Sequence, residues 1–207
     1  NLALRTRHVD EAIKLLQAPL DNKEAMNIDF LDFMLGEAYL YKLDPKATDY
    51  FETYIQNFTG KNYVKEALQK QAWSYLVQDD LENYQKNMQR INEEGEAYSA
   101  SDKSAQFQAK TGNTPNVNLL KARLLCDGGY FEKARSILSQ NIFDPYMLQR
   151  VDQIEYFYRA ARIDQLSGLN SAAKINYLKT IELGKTSKTY FACRAALEMG
   201  HIFKKEK

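Results

Sequence analysis

The sequence predicts an all-α chain built as a stack of helical hairpins, and two observations carry that reading. Ala122-x6-Gly129-x-Phe131-x2-Ala134-x3-Leu138 returns 39 residues later as Ala161-x6-Gly168-x4-Ala173-x3-Tyr177, small residue for small and bulky for bulky. A period of this length, with a glycine between two helix-like segments, belongs to an array in which each unit buries its apolar face against its neighbours. In addition, only four prolines and nine glycines interrupt the 207 residues, and they fall between amphipathic segments, where helix punctuation belongs.

The elements follow in order. Val9, Ala12, Ile13, Leu15 and Leu16 form the stripe of a return helix whose partner is reduced to Asn1 to Thr6, a half-unit over residues 1–20. A first full hairpin covers about 28–58, with Leu35-Gly36-x2-Tyr39 on its first helix. Asp44-Pro45 then caps and opens its second helix, whose stripe is Ala47, Phe51 and Tyr54. The next hairpin, 63–92, places Leu68, Ala72 and Tyr75 opposite Leu81, Tyr84, Met88 and Ile91, with Asp79-Asp80 between.

Residues 93–114 read as a polar insertion. Ser101-Asp102-Lys103 starts a short helix there, running through Gln106, Phe107 and Ala109 to a stop at Gly112, with Tyr98 and Phe107 as anchors. In hairpin 115–140, Thr114 caps the helix that Pro115 opens and Gly128-Gly129 stops. Ala122 and Ala134 mark the crossing, because antiparallel helices approach closely only where a side chain is nearly absent. Hairpin 145–184 repeats this with Ala161, Gly168 and Ala173, its first helix lengthened by Tyr146, Met147 and Leu148 after Asp144-Pro145. Leu197, Gly200 and Phe203 lie on a terminal helix over 187–205 that reads as a first helix without a return.

These residues resemble the tetratricopeptide repeat family, whose consensus joins Leu-Gly-x2-Tyr on a first helix to a turn glycine and Ala-x3-Phe on the second. The resemblance implies one solenoid over 1–207, a right-handed superhelix that holds a peptide or protein segment in a concave groove lined by the first helices. The small first-helix residues Gly36, Ala72, Ala122, Ala161 and Gly200 are 36, 50, 39 and 39 residues apart, against 34 in the family, so the array is irregular. Counting one residue beyond each of them gives Glu37, Trp73, Arg123, Arg162 and His201, and three before gives Phe33, Gln69, Leu119, Tyr158 and Leu197; the candidate groove is Phe33, Glu37, Gln69, Trp73, Arg123, Tyr158 and Arg162. Arginines over an aromatic floor suit an acidic or C-terminal carboxylate peptide. On this reading Arg123→Glu or Arg162→Glu abolishes binding while unfolding barely moves. Chaperone-binding members clamp a terminal carboxylate with lysines and asparagines, and Phe33, Glu37 and Gln69 at those places do not support that role.

Composition narrows the alternatives. A formal charge of +1 gives no field for nucleic acid. Gly184-Lys185-Thr186 ends like a phosphate loop, but Lys179 stands where its first glycine is required and a helix precedes it. His8 and His201 share no metal-ligand spacing, and no strained nucleophile turn is present, so no enzyme, cofactor or metal is expected. Cys126 and Cys193 read as buried or half-buried free thiols. No stretch reaches the roughly 20 apolar residues of a membrane span. Two functions remain. One is a non-enzymatic interaction scaffold; the other is a structural segment of a larger bacterial envelope or assembly protein, such as a nutrient- or glycan-binding scaffold. Apolar residues at both ends predict cover from further repeats, a partner or self-association through the terminal helices. The composition, rich in Asn, Lys and Tyr, suggests a bacterial source and leaves cytoplasm and periplasm open.

Overall fold

The computed structural model describes residues 2–20, 29–140 and 144–206. Among these residues there are twelve α-helices and no strand. In chain order the helices are α1 (Leu2–Arg5), α2 (Val9–Leu20), α3 (Asp29–Tyr41), α4 (Lys46–Asn57), α5 (Val64–Val77) and α6 (Leu81–Glu93). They continue with α7 (Ala100–Thr111), α8 (Val117–Asp127), α9 (Phe131–Leu138), α10 (Arg150–Leu166), α11 (Asn170–Gly184) and α12 (Phe191–Lys205). None of them is long and apolar enough to cross a membrane. Asn1 and residue 28, at the starts of two expected units, lie outside the described residues.

The same turn recurs five times. Arg7, Leu43, Asp79, Gly129 and Gly168 each take a positive φ, between 58° and 88°. The amide of the residue after each one donates to the carbonyl five residues back: His8 to Ala3, Asp44 to Tyr39, Asp80 to Tyr75, Tyr130 to Leu125 and Leu169 to Asp164, at 2.8–3.0 Å. This is the left-handed C-terminal cap that satisfies the orphan carbonyls of a helix end and reverses the chain. It is followed each time by a helix whose early inward residue is buried: Ala12, Ala47, Tyr84, Ala134 and Ala173, none above 3% exposed. Glycine was visible at two of these turns. At the other three the left-handed site holds Arg, Leu or Asp, which the sequence pattern does not betray.

The chain divides into two compact units, one of Asn1–Val117 with Asp127–Gly129, the other of Asn118–Cys126 with Tyr130–Lys207. In the first unit α5 is the central element, packed against α3, α4, α6 and α7. It is buried almost all round, including Lys65, Gln69, Lys70, Gln71 and Ser74. Neighbouring elements satisfy most of those polar groups, although Gln71 Oε1 has no hydrogen-bond partner among the described residues. Lys65 Nζ donates to the carbonyls of Ile91 and of Glu94, the latter at 3.0 Å, at the C-terminal end of α6, where a cation is favoured. Gln71 Nε2 donates to Thr48 O and to Glu52, both at 3.0 Å.

The polar insertion contains α7, stopped at Gly112 with φ 66° as expected. Its anchors are different. Tyr98 and Phe107 are 65% and 67% exposed, whereas Ala105 and Asp102 are fully buried. The Asp102 carboxylate accepts the amides of Tyr63 at 2.9 Å and Glu66 at 3.1 Å, and so caps α5 from another element. That explains the choice. Tyr63 precedes α5 in the left-handed region and offers no side-chain cap of its own, so the first amides of a buried helix need a partner from elsewhere. Ser99 completes the arrangement with a reciprocal capping box on α7.

In the second unit, α10 packs on α9, α11 and α12, and α11 on α12. Its core gathers Ile154, Tyr158, Ala161, Ala173, Tyr177, Phe191, Ala195 and Ile202. Three boundaries differ from expectation. Pro145–Met147 forms a separate 3-10 turn capped by Asp144, and extended Leu148 and Gln149 part it from α10, so Tyr146, Met147 and Leu148 do not lengthen that helix. The helix after Pro115 begins at Val117, and the last one at Phe191 rather than 187. Cys126 is buried, but Cys193 is exposed rather than half-buried.

Candidate functional site

The residues expected to line a groove divide between the two units, and most are engaged within their own. In the first, Phe33 is 3% exposed, stacked on Phe30 at 5.1 Å and edge-on to Tyr54 at 5.3 Å. Phe33 and Glu37, one helical turn apart on α3, converge on Lys70 of α5. The Lys70 ammonium lies 4.8 Å from the centre of the Phe33 ring and pairs with Glu37 and with Glu66, the latter at 2.7 Å. Gln69 is buried and its amide donates to Gln108 of α7. Trp73 is 8% exposed on the same helix. The shared reason is that α5 has neighbours on nearly every side, so residues one step around it from the apolar stripe meet protein instead of solvent.

In the second unit Arg123 is half-buried on α8. Tyr158 and Arg162 meet in a mixed cluster where α10 faces α12. Tyr158 is 5% exposed, with Phe191 at 5.3 Å and Tyr190 edge-on at 6.3 Å. Burial pushes its phenol up, against the pull of Arg162 and Arg159. Arg162 Nη1 lies 2.9 Å from Glu198 of α12 and 2.6 Å from Gln165 Oε1, which also accepts the Tyr177 hydroxyl at 2.6 Å. Arg194 pairs with Glu198 at 2.9 Å, and His201 Nδ1 stands 3.7 Å from the same carboxylate. Burial drives the Glu198 carboxyl up, but Arg162 and Arg194 overcome it and hold it below the usual carboxylate range.

Around this hub the arrangement is graded. The Arg162 and Glu198 side chains are largely shielded, whereas the Arg194 and His201 side chains are 51% and 55% exposed. Arg159 lies over the rings of Tyr158 and Phe191 at 5.4 and 5.6 Å and pairs with Glu155 at 2.7 Å. Tyr190, 58% exposed, packs against Phe191 at 4.4 Å. Three guanidiniums thus share two carboxylates, beside an exposed ring and an imidazole. The face can donate to an anion and stack on an apolar or aromatic group.

Sequence reasoning found Tyr158 and Arg162 and passed over Arg159, Arg194 and Glu198. The spacing Glu155-x3-Arg159 and Arg194-x3-Glu198 was the available signal, since residues four apart on a helix pair. Lys70 carried that sign toward Glu66, four residues before it, but none toward Glu37, 33 residues away.

A cleft of roughly 390 Å³, including its open mouth, is lined by Arg135, Tyr156, Asp164 and Asn176 among others. Its polar groups are spent on one another. Arg135 pairs with Asp164, Asn176 donates to Asp164 at 3.0 Å and the Tyr156 hydroxyl donates to Leu138 O at 3.2 Å. Among the described residues no group of three or more His, Cys, Asp or Glu is gathered as metal ligands would be. Comparison with protein-family models, with curated proteins and with solved structures finds no match to this chain.

Proposed function

We propose that the chain is a non-enzymatic interaction module, a tetratricopeptide-like superhelix of irregular hairpins that takes an acidic peptide or protein segment. The observation that carries this is the cluster where α10 faces α12: Arg159 paired with Glu155, and Arg162 and Arg194 both paired with Glu198, with Arg194 half-exposed and exposed Tyr190 and His201 at the rim. The recurring left-handed turn supports the repeat reading. Arg162 and Tyr158 build the floor and Arg194 is the half-exposed donor that meets the ligand. A carboxylate arriving there competes with Glu198 for Arg194 while Arg162 keeps its internal partner.

The substitution that tests this is Arg194→Glu, not Arg162→Glu. Arg162 is shielded against Glu198, and breaking one partner of a buried pair costs about 3–5 kcal/mol, so loss of binding by that variant would only report loss of fold. The assay is fluorescence anisotropy with fluorescein-labelled eight-residue peptides rich in Asp and Glu, each with a free and an amidated C-terminus. Saturable binding is expected, weakened about tenfold or more by Arg194→Glu, equivalent to at least ~1.4 kcal/mol, with the unfolding midpoint close to the parent's. Equal affinity in the variant overturns the assignment.

A further inference from the structure

Among the described residues Tyr39, Tyr54, Tyr84, Tyr158 and Tyr177 are buried, and a buried phenol ordinarily hydrogen-bonds. Tyr39 accepts from Gln17 at 2.9 Å, Tyr54 donates to Asn62 O at 3.5 Å and Tyr177 donates to Gln165 at 2.6 Å. Tyr84 shares hydrogen bonds with Thr114 and Gln108. Tyr158 is the exception. It is 5% exposed, yet among the described residues its hydroxyl meets rings and charges and no hydrogen-bond partner. The oxygen is not one of the fully enclosed polar atoms, so a ligand group can reach it.

The surroundings of that hydroxyl are cationic. Arg159 lies over the Tyr158 ring at 5.4 Å, Arg162 follows one helical turn along α10, and Arg194 approaches from α12. Burial pushes the phenol above its ordinary value, and all three arginines pull against it. A donor without a partner, set among guanidiniums, is complementary to an oxyanion. No acidic side chain of the cluster is spare to fill that place, because Arg159 engages Glu155 while Arg162 and Arg194 engage Glu198. These ion pairs set three guanidiniums on two carboxylates, so one carboxylate from a ligand balances the set. A phosphate monoester, with nearly two negative charges, would exceed it.

We infer that the Tyr158 hydroxyl is a specificity-determining contact, donating to one oxygen of a single ligand carboxylate whose other oxygen pairs with Arg194. This rests on the binding face proposed above and makes Tyr158 a ligand contact as well as part of the floor. Tyr190, 58% exposed and edge-on to Tyr158 at 6.3 Å, flanks the same place with a ring.

Tyr158→Phe deletes the oxygen and keeps the ring. The intact chain and this variant are titrated with the fluorescein-labelled acidic octapeptides, free and amidated at the C-terminus. Affinity is expected to fall about tenfold in Tyr158→Phe, the effect of one hydrogen bond to a charged group. The unfolding midpoint should stay unchanged or rise, since no internal hydrogen bond is lost. Unlabelled acidic peptide without aromatic residues should also give a red-shifted tyrosine difference spectrum at saturation, as when a phenol donates to a carboxylate, in the parent and not in the variant. Binding lost on amidation assigns the carboxylate to a chain end, and binding retained assigns it to an Asp or Glu side chain; both support the contact. Equal affinity in Tyr158→Phe, with binding still lost in Arg194→Glu, overturns this inference and leaves the proposed function standing. Weaker binding with a lowered midpoint and no difference spectrum gives Tyr158 a structural role and also overturns it. Tighter binding of a peptide with Asn and Gln for Asp and Glu and one phosphoserine overturns the carboxylate assignment. A parent chain that binds no acidic peptide overturns both readings.

Discussion

Gly129 and Gly168 occupy equivalent turns, with φ of 88° and 80°, yet their surroundings differ. A Cβ on Gly168 would meet nothing within 4 Å, while one on Gly129 would stand 2.2 Å from the Arg7 carbonyl oxygen. Gly168→Ala is therefore expected to cost only the left-handed backbone penalty, about 1–2 kcal/mol. Gly129→Ala adds about 1–3 kcal/mol of overpacking against backbone that cannot swing aside. Urea unfolding of the two variants checks the order; equal losses would mean that Gly129 does not abut Arg7. Conversely, exposed Asp79 holds a left-handed φ of 62°, so Asp79→Gly should stabilise by up to about 1 kcal/mol. The turn glycines were legible in the sequence because φ above zero selects for glycine. Arg7, Leu43 and Asp79 were not, since a side chain tolerated under strain leaves no compositional mark.

At the scale of elements, α7 and α12 are each held by one buried acidic residue. Asp102 accepts four donors, the amides of Tyr63, Glu66 and Ser99 and the Ser99 hydroxyl, the last at 2.7 Å. Asp102→Ala strands the first amides of α5 and should cost about 2 kcal/mol, with hydrogen exchange accelerated at Tyr63 and Glu66. Exchange unchanged at those amides would rule out the cap. Glu198 joins α12 to α10, and its folded pKa lies below its unfolded value. Its contribution is present at pH above the ordinary carboxylate range and is lost as pH falls through the depressed value. Glu198→Gln should cost about 1–3 kcal/mol at neutral pH, with the difference from the parent closing as pH falls through the depressed value. A gap that persists in acid would assign the effect to packing. These two elements also show where sequence reading stops. The extent and glycine stop of α7 follow from local chemistry, but its anchorage through Asp102 depends on an amide 39 residues away. Lys65, Lys70 and Gln71 of α5 look like a solvent face until neighbouring helices close over them.

For the whole molecule, the repeated hairpin is what the sequence specified best. Its signal is a matched set of small and bulky residues, and small residues at helix crossings are a direct physical demand. The residues of the proposed site were legible only in part, because the register that places Tyr158 and Arg162 also places Phe33, Gln69 and Trp73, which α5 and its neighbours enclose. The pairing of α10 with α12 is what leaves Arg194, His201 and Tyr190 at a surface.

The proposed function stands on that face, and amide chemical-shift mapping of the intact chain during titration with an acidic peptide tests it most directly. Shifts confined to Glu155–Gln165 and Tyr190–His201, growing to saturation, are the predicted result. Shifts centred elsewhere, or none at saturating peptide, would contradict it.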